Sequence, residues 1–368
     1  MKKLLFVFGT RPEAIKLAPV ILKAKQTNGV HCSVAVTAQH RQMLDQVLEV
    51  FNITPDIDLN VMSHGQTLNE LSSKIIKSMD EVIVLQKPDW VIVHGDTTTT
   101  LMAALSAFHR QVPVAHVEAG LRTFDLKMPF PEEMNRQAVS VLSSLHFAPT
   151  QRAYNQLLAE GKKVESIKLV GNTVVDSLQW VLKKFEDDPS LVLELDKILP
   201  NLEIGKKTIL LTTHRRENFN GGLASICQAI AKITKIRTDI QVVIPLHLNP
   251  IVQETVRNIL GTNSQVKIIE PLGYLPFIRL MQKSDLILTD SGGLQEEAPT
   301  LNKFVLILRA ETERPEAFEA GCAKLVGTHQ DKIVTEALNA IDRPQSITMK
   351  NPFGDGLASD RIVQSFLS

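Results

Sequence analysis

The chain has little of what several classes of protein require. Its 368 residues include three cysteines, Cys32, Cys227 and Cys322, and no Cys-x-x-Cys pair. This number and spacing favour neither a disulfide framework nor a zinc site, so we expect free thiols in a reducing compartment. No run approaches the roughly 18 apolar residues of a membrane span. The turn at residues 9–11 interrupts the first apolar run before it could serve as a secretory signal. We therefore expect a cytoplasmic protein without a membrane partner.

An excess of charge of one sign is also missing. Lys plus Arg equals Asp plus Glu at 40 each, so the formal net charge is zero. This balance argues against bulk electrostatic binding to nucleic acid or anionic lipid. The two tryptophans, Trp90 and Trp180, show no stacking platform for bases. The chain also lacks a Walker loop, a Gly-x-Gly-x-x-Gly fingerprint and a Gly-x-Ser-x-Gly elbow. We expect neither a metal nor a cofactor.

What the chain does contain is an alternation of short apolar runs with segments of helical periodicity, in two sets. Strands that alternate with helices predict an α/β fold whose parallel sheets are covered by helices on both faces. The first set of strands comprises Lys3–Phe8, Cys32–Thr37, Ile57–Val61, Asp89–His94 and Val112–Val117. The second set comprises Lys207–Thr212, Gln241–Ile244, Val266–Ile269, Leu286–Thr289 and Phe304–Leu308.

The two sets predict two domains, which the length of the chain also favours over a single core. We place an N-terminal Rossmann-like domain at residues 1–171 and a C-terminal Rossmann-like domain at residues 172–355. Residues 356–368 contain a short closing helix, which we expect to cross back to the N-terminal domain.

Ligands of parallel α/β sheets bind outside the carboxyl ends of the strands, and a diglycine lies at one such end. Ser291-Gly292-Gly293 follows Leu286–Thr289 and precedes a helix. Two glycines let the backbone approach a ligand closely, and the free amides of a helix N-terminus favour an anion such as a diphosphate. A tight turn that needs positive φ is the alternative. Glu297, further along that helix, either accepts hydrogen bonds from ribose hydroxyls or is an ordinary first-turn acid.

Three carboxylates follow strands of the first set and suit general acid–base chemistry. Asp96 and Glu118 come after Asp89–His94 and Val112–Val117, and Glu132 lies further along in Pro-Phe-Pro-Glu-Glu. Burial and mutual repulsion raise the pKa of clustered carboxyls toward values that are useful in proton transfer. Asp96 could instead be the N-cap of the next helix, and Glu132 could simply start one. Glu118 is poorly placed for solvent, because it lies directly after an apolar strand.

Basic side chains follow strands in both sets. The turn His214–Arg216 comes after Lys207–Thr212 and either is a solvated basic turn or neutralises phosphates, and for His214 we favour the second. Arg11 and Arg314 occur in two copies of Arg-Pro-Glu-Ala, each beyond an apolar strand. Arginine suits bidentate phosphate contact better than lysine. The remaining histidines show no metal-ligand spacing, and we interpret them as structural or exposed.

Nine longer strings resemble, in the same order, those of the non-hydrolysing UDP-N-acetylglucosamine 2-epimerases of bacteria. The resemblance covers nearly the whole chain. The strings are GTRPEAIKLAP (9–19), TAQHRQMLDQVL (37–48), HGDTTT (94–99), HVEAGLRT (116–123), PFPEEMNR (129–136), THRREN (213–218), SGGLQEEAP (291–299), ETERPE (311–316) and NPFGDG (351–356).

This resemblance implies a GT-B fold, in which two Rossmann-like domains enclose a cleft that closes on UDP, and a homodimer. It implies interconversion of UDP-N-acetylglucosamine and UDP-N-acetylmannosamine without nicotinamide or metal. The family's route is anti elimination of UDP to a 2-acetamidoglucal, followed by re-addition. Its acid–base carboxylates and phosphate-facing histidine match Asp96, Glu118, Glu132 and His214. Its nucleotide contacts match Arg11, Lys16, Phe277, Ser291, Gly292, Gly293, Glu297 and Arg314, among which Phe277 would by its pattern alone belong to the core.

Some members of that family bind a second substrate molecule as an activator. The matching positions are Gln39, Gln42, Arg215 and His247, whereas the arginine that the family has after Met62 is replaced by Gly65. Allosteric activation is therefore a hypothesis that this one position weakens.

Other readings of the same residues remain. One is a 2-epimerase of a modified UDP-2-acetamido sugar, and another is a GT-B glycosyltransferase that uses a UDP-sugar and an acceptor. A hydrolysing epimerase would release UDP and free N-acetylmannosamine, and a non-catalytic UDP-sugar sensor would need none of the three acids. The expected role is the supply of a precursor for a cell-envelope polysaccharide. The sequence does not decide which acid removes the proton and which returns it.

Overall fold

The computed structural model describes residues 1–37, 41–63, 65–343 and 350–367, with the backbone alone for Gln42 and Arg216. The chain forms two compact units. The first comprises Met1–Trp180 with Phe353–Ser368, and the second comprises Val181–Pro352. Each unit has its own parallel sheet with helices packed on it, so the predicted α/β class is confirmed.

The first unit contains a seven-stranded sheet in the order β3-β2-β1-β4-β5-β6-β7, and every strand pair in it is parallel. Its strands are β1 (Lys2–Phe8), β2 (Val30–Val36), β3 (Ile57–Asp58), β4 (Trp90–His94), β5 (Val114–Val117), β6 (Leu145–Ala148) and β7 (Ile167–Leu169). Its helices are α1 (Arg11–Gln26), α2 (Arg41–Val50), α3 (Leu68–Gln86), α4 (Thr98–His109), α5 (Glu132–Leu142) and α6 (Gln151–Ala159), followed by α7 (Thr173–Asp187), which runs on into the second unit.

The second unit contains a six-stranded parallel sheet in the order β10-β9-β8-β11-β12-β13. Its strands are β8 (Lys207–Thr212), β9 (Ile240–Pro245), β10 (Val266–Ile269), β11 (Leu286–Thr289), β12 (Phe304–Ile307) and β13 (Ala323–Leu325). Its helices are α8 (Pro189–Ile198), α9 (Gly222–Ile236), α10 (Pro250–Leu260), α11 (Tyr274–Lys283), α12 (Gly292–Glu297), α13 (Glu316–Glu319) and α14 (Gln330–Ala340). The last helix of the chain, α15 (Ala358–Gln364), belongs to the first unit.

The strand order positions the candidate sites. In the first unit the order reverses between β1 and β4, and in the second it reverses between β8 and β11. At such a point the connections leave the two central strands in opposite directions, which opens a crevice at their carboxyl ends. Asp96, His214 and Ser291, which were singled out from the sequence, lie in the turns after β4, β8 and β11.

The C-terminal segment of the chain packs closely against the residues around Asn172, which belong to the same unit. Asn172 N donates to the Phe353 carbonyl at 2.7 Å, and a Cβ on Gly171 would lie 3.4 Å from the Gly354 Cα. Beyond this point Ser359 donates to the buried Asp176 carboxylate through its backbone (2.7 Å) and its hydroxyl (2.6 Å). These contacts attach α15 to the first unit, where it packs against α1.

Strands β8, β10 and β11 begin and end at the predicted residues. Neither β6 nor β7 was predicted. Their sequences are Leu-His-Phe-Ala and Ile-Lys-Leu, and a histidine or a lysine interrupts the apolar residues of each. In the structure β6 is recognisable by its pairing with β5, and β7 by its pairing with β6.

Candidate active site

In the first unit, Glu118 lies at the centre of a group of polar side chains after β5. Its carboxylate forms an ion pair with Lys16, accepts a hydrogen bond from Asn172 Nδ2 at 3.2 Å, and lies 3.6 Å from His94 Nε2. The Glu118 side chain is 10% exposed. Its φ of 62° is in the left-handed region, which is rare for a residue with a side chain and typical of functional positions. Lys16, predicted to contact the nucleotide, thus pairs here with a predicted acid–base residue.

Asp96 follows β4 and faces a different cation. Its Oδ2 accepts a hydrogen bond from Arg136 Nε at 2.8 Å, and its carbonyl accepts one from Asn135 Nδ2 at 2.8 Å. Burial raises the pKa of the Asp96 carboxyl, and the nearby carboxylates Glu118 and Glu132 add to the rise, whereas Arg136 opposes it. The N-cap of α4 is Thr97 and not Asp96, so the alternative capping role of Asp96 is wrong.

We expect Asp96→Asn to become more stable relative to the unsubstituted protein as the pH rises. Because the pKa of Asp96 is raised in the folded state, folding takes up a proton, and stability falls as the pH rises from the unfolded pKa through the folded one. Asparagine does not titrate and is spared this loss. Urea unfolding between about pH 4 and pH 8 measures the difference. The exposed Asp125→Asn serves as the control. A difference between Asp96→Asn and the unsubstituted protein that does not grow across this range would contradict the expectation.

The adjacent residues Glu132 and Glu133 have different roles. Glu133 is fully buried and accepts hydrogen bonds from the backbone amides of Thr123 (3.0 Å) and Phe124 (3.1 Å). Burial works against its ionisation, but these amides, with Gln137 and Arg136, lower the pKa of Glu133 below its usual value. Glu133 therefore fixes the loop before α5. Glu132 is the first residue of α5 and is only partly buried. Glu132 therefore does start a helix, which was the alternative interpretation of this residue. That position leaves its side chain able to act on a substrate.

Glu13 connects the turns after β1 and β4 and was not singled out from the sequence. Its buried carboxylate accepts hydrogen bonds from Gly9 N (3.1 Å) and Thr10 N (2.8 Å) in the first turn. It also accepts hydrogen bonds from Thr97 Oγ1 (2.8 Å) and Thr100 Oγ1 (3.1 Å) beyond the second turn. Burial raises the pKa of Glu13, against these donors. Arg11, which is partly buried, adjoins the first of these turns, and Asp96 directly precedes Thr97 in the chain.

Two other histidines near this group stay neutral. His116 and His146 are paired neighbours on β5 and β6, and both are buried. Burial lowers the pKa of His116 to about 3 and that of His146 to about 4. His116 Nε2 lies 2.7 Å from the Gly95 carbonyl and donates to it, which supports the turn that carries Asp96. Of the two possibilities predicted for them, structural or exposed, the burial of both excludes the second.

In the second unit, the basic turn after β8 is built on Asp290. The Asp290 side chain is fully buried, and its Oδ2 accepts hydrogen bonds from Thr213 Oγ1 (2.9 Å), His214 N (3.0 Å), Arg215 N (3.0 Å) and Asn218 Nδ2 (3.0 Å). His214 Nδ1 lies 3.3 Å from Asp290 Oδ1. Asp290 directly follows the apolar strand β11 and precedes Ser291, and this position is the signal in the sequence that could have drawn attention to it.

The diglycine turn after β11 is packed against Arg314. Ser291 is the N-cap of α12 and makes no side-chain capping bond, and α12 begins at Gly292. A Cβ on Gly292 would lie 2.6 Å from Arg314 Nη1, so the arginine occupies the space that any larger residue would need. Arg314 is oriented by an ion pair with Glu296 and by Glu313 Oε1, 2.6 Å from its Nη1. By contrast, the nearest atom to a Cβ placed on Gly293 would be Ser291 Oγ, 4.0 Å away.

Glu297 and Phe277 complete the residues predicted on this side. Glu297 is the last residue of α12, so its alternative as a first-turn acid is wrong. Its Oε1 accepts a hydrogen bond from Tyr274 OH at 3.3 Å, which links α12 to α11. Phe277 lies on α11 and is partly exposed, unlike the fully buried Ile278 beside it. Phe277 is therefore not a core residue.

Of the four positions expected to bind an activator, two can be described. Gln39 and the side chain of Gln42 lie outside the described residues. The backbone amide of Arg215 donates a hydrogen bond to the Asp290 carboxylate. The His247 ring stacks on the His214 ring, with centroids 5.6 Å apart. Both thus adjoin the predicted phosphate-facing histidine.

The described part of the chain shows neither a metal cluster nor a membrane-spanning helix. No group of three or more His, Cys, Asp or Glu side chains there could hold a metal ion. Within the same residues, no helix is both long enough and apolar enough to cross a membrane.

Comparison with known proteins gives consistent matches over nearly the whole chain. A family model described as UDP-N-acetylglucosamine 2-epimerase matches residues 22–367. A UDP-N-acetylglucosamine 2-epimerase of Salmonella typhimurium is 49% identical, over 100% of this chain and 98% of the relative. A crystal structure of the Neisseria meningitidis UDP-GlcNAc 2-epimerase bound to UDP-GlcNAc is 47% identical and superposes with a TM-score of 0.93, over 99% of both chains. The Methanocaldococcus jannaschii enzyme in complex with UDP-GlcNAc and UDP is 37% identical, with a TM-score of 0.85 over 99% of both chains.

Proposed function

From the premise that the chain belongs to the UDP-N-acetylglucosamine 2-epimerase family, we propose that it interconverts UDP-N-acetylglucosamine and UDP-N-acetylmannosamine. The observation that carries this proposal is the similarity, over nearly the whole chain, to a solved epimerase that holds UDP-GlcNAc. The reaction we propose is anti elimination of UDP to a 2-acetamidoglucal, followed by re-addition with the proton delivered from the other face. We further propose that the protein is a cytoplasmic homodimer that supplies a precursor of a cell-envelope polysaccharide.

The first unit supplies the acid–base chemistry. A hydrogen at carbon 2 of the sugar is hardly acidic until the bond to UDP stretches and positive charge builds at carbon 1. A carboxylate must then take the proton while the leaving group is stabilised. Glu118 faces Lys16 and His94, whereas Asp96 faces Arg136 and has a raised pKa. Carboxyls in such different surroundings suit an acid–base pair. Glu132, partly exposed at the start of α5, is the third candidate.

The second unit binds the nucleotide in this proposal. Ser291, Gly292 and Gly293 offer backbone amides to the diphosphate, and Arg314, packed on Gly292, offers a cation. His214 faces the same phosphates and stabilises the leaving UDP. Glu297 accepts hydrogen bonds from the ribose hydroxyls, and Phe277 packs against the nucleoside. Arg11 and Lys16 add positive charge from the first unit. Closure around the substrate would keep the glycal from being lost or hydrated.

One experiment separates this proposal from its alternatives. The purified protein is incubated with UDP-N-acetylglucosamine in deuterium oxide, with nothing else added, and followed by proton NMR. We expect UDP-N-acetylmannosamine with deuterium at carbon 2 and no net release of UDP. A glycosyltransferase would need an acceptor, a hydrolysing enzyme would release UDP and free N-acetylmannosamine, and a sensor would leave the substrate unchanged. The proposal would be refuted by an unchanged spectrum. It would also be refuted if deuterium entered only a modified UDP-2-acetamido sugar that was tested in parallel.

We expect Gly292→Ala to weaken UDP binding about tenfold, which is the effect of losing about 1.4 kcal/mol. The added methyl group would displace the Arg314 guanidinium, the flexible end of a side chain, so the fold should tolerate the change. Isothermal titration with UDP measures the affinity. Gly273→Ala is the matched control, because it also adds a methyl group at the start of a helix but meets nothing closer than 3.9 Å. Equal affinities for the two variants would contradict the role of Arg314.

A further inference from the structure

A buried and heavily hydrogen-bonded carboxylate of the second unit, Asp290, has no role in the proposal so far. Asp290 has a fully buried side chain, and the four donors to its Oδ2 all come from Thr213–Asn218, more than 70 residues earlier in the chain. A single carboxylate thus fixes the whole turn after β8. Its other oxygen, Oδ1, lies 3.1 Å from His214 N and 3.3 Å from His214 Nδ1.

The position of Oδ1 determines which ring nitrogen of His214 carries the proton. A carboxylate oxygen can only accept hydrogen bonds, and two lone pairs facing each other across 3.3 Å would repel, so the contact favours a proton on the ring atom nearest Oδ1. In neutral histidine that makes Nδ1 the protonated nitrogen and leaves Nε2, on the opposite edge of the ring, as the acceptor. The His214 side chain is 38% exposed, so one edge of the ring reaches the surface of the turn.

We propose that Asp290 is a positioning residue that holds His214 in the Nδ1–H tautomer, so that Nε2 is the ring nitrogen that faces the substrate diphosphate. The inference rests on the proposed function only for the identity of that ligand. The tautomer follows from the contacts of Asp290 alone. When the diphosphate binds, Nε2 takes a proton from solvent, so that His214 becomes a cation that donates to the departing UDP, and the Asp290 carboxylate stabilises that cation.

The charged and titratable groups around His214 support this role. Burial lowers the pKa of the His214 ring, and Arg215, His247 and Arg309 lower it further. Asp290 acts in the opposite direction and raises the pKa. Among these neighbours it is therefore the one that favours the protonated ring.

Asp290→Asn tests the proposal because the amide can keep most of the turn's hydrogen bonds. Four donors meet at Oδ2, so the amide oxygen must take that place, and the NH2 group then takes the place of Oδ1. An NH2 group facing His214 Nδ1 donates to it and forces the proton onto Nε2. We expect nitrogen-15 NMR to show Nδ1–H in the unsubstituted protein and Nε2–H in Asp290→Asn, with a lower His214 pKa in the variant. We also expect kcat to fall about 10²–10⁴-fold, as for other carboxylate–histidine pairs, with a smaller change in KM.

Asp285→Asn is the matched control. Asp285 directly precedes β11, whereas Asp290 directly follows it, and Asp285 accepts hydrogen bonds from Thr208 N (2.8 Å) and Lys207 Nζ (3.2 Å). The same substitution there removes one negative charge from the opposite end of the strand. We expect it to leave the tautomer and the pKa of His214 unchanged.

The NMR measurement needs no turnover, so it distinguishes the failure of this inference from the failure of the proposed function. An inactive protein whose tautomer reverses in Asp290→Asn would overturn only the proposed reaction. An active protein whose His214 keeps the same tautomer and pKa in that variant would overturn the role of Asp290. If the variant did not fold, an Nε2–H tautomer in the unsubstituted protein would by itself refute the inference, and an Nδ1–H tautomer would support it.

Discussion

Glu118→Gln is expected to slow the interconversion of the two UDP-sugars about 10²–10⁴-fold, the range that general acid–base groups contribute. Glutamine has nearly the same shape, but its amide cannot take a proton from carbon 2 or return one. The substitution also removes the carboxylate that pairs with Lys16 and lies 3.6 Å from His94 Nε2, so two more side chains of the group lose an anionic partner.

The measurement is the initial rate of epimerisation, together with the rate at which deuterium from the solvent appears at carbon 2. Glu70→Gln is the control. Glu70 belongs to the same unit and forms the capping box of α3 with Thr67, a role that glutamine also fills. We expect this control to react at the unsubstituted rate. If Glu118→Gln did so too, Glu118 could not be an acid–base residue.

Gly120→Ala is expected to destabilise the first unit by about 2–5 kcal/mol, the sum of a left-handed backbone penalty and overpacking. Gly120 has a φ of 92°, and a Cβ there would clash with the Ala153 carbonyl oxygen and lie 3.0 Å from Leu157 Cγ. The nearest obstacle is backbone and not the end of a flexible side chain, so either the turn after β5 or α6 must move. That turn also carries Glu118.

Gly161→Ala separates the two causes. Gly161 has a similar φ of 79°, but nothing lies within 4 Å of its Cβ position. We expect it to lose only the left-handed penalty, about 1–2 kcal/mol. Urea unfolding followed by tryptophan fluorescence measures both variants, because Trp90 and Trp180 are the only two tryptophans and both lie in the first unit. Equal losses in the two variants would show that the contact with Ala153 costs nothing.

The positions of the candidate residues at strand ends were predictable from the sequence for a local reason. Apolar runs mark buried strands, and the polar residue that ends each run must lie at the carboxyl edge of a parallel sheet. Asp96, Glu118, His214 and Ser291 were found in this way, before any sheet order was known. The same argument predicted β8, β10 and β11 at their observed residues.

The contacts that hold these residues were not predictable, because each depends on which strands are neighbours. Asp290 supports His214 only because β11 lies beside β8, although the two residues are 76 positions apart. Glu13 joins two turns across 84 positions because β4 lies beside β1. Nothing in the local pattern encodes either adjacency.

The choice between adjacent or equivalent residues also required the tertiary structure. Glu132 and Glu133 are identical in the sequence, yet only Glu133 is buried and surrounded by donors. Thr97 and Asp96 are both good N-caps, and the backbone selects Thr97. The sequence by itself therefore determined the two α/β sheets and the strand ends at which polar groups collect, since burial patterns are local. Only the folded chain decided which of those groups support the others, since hydrogen bonds join segments that the sheet order brings together.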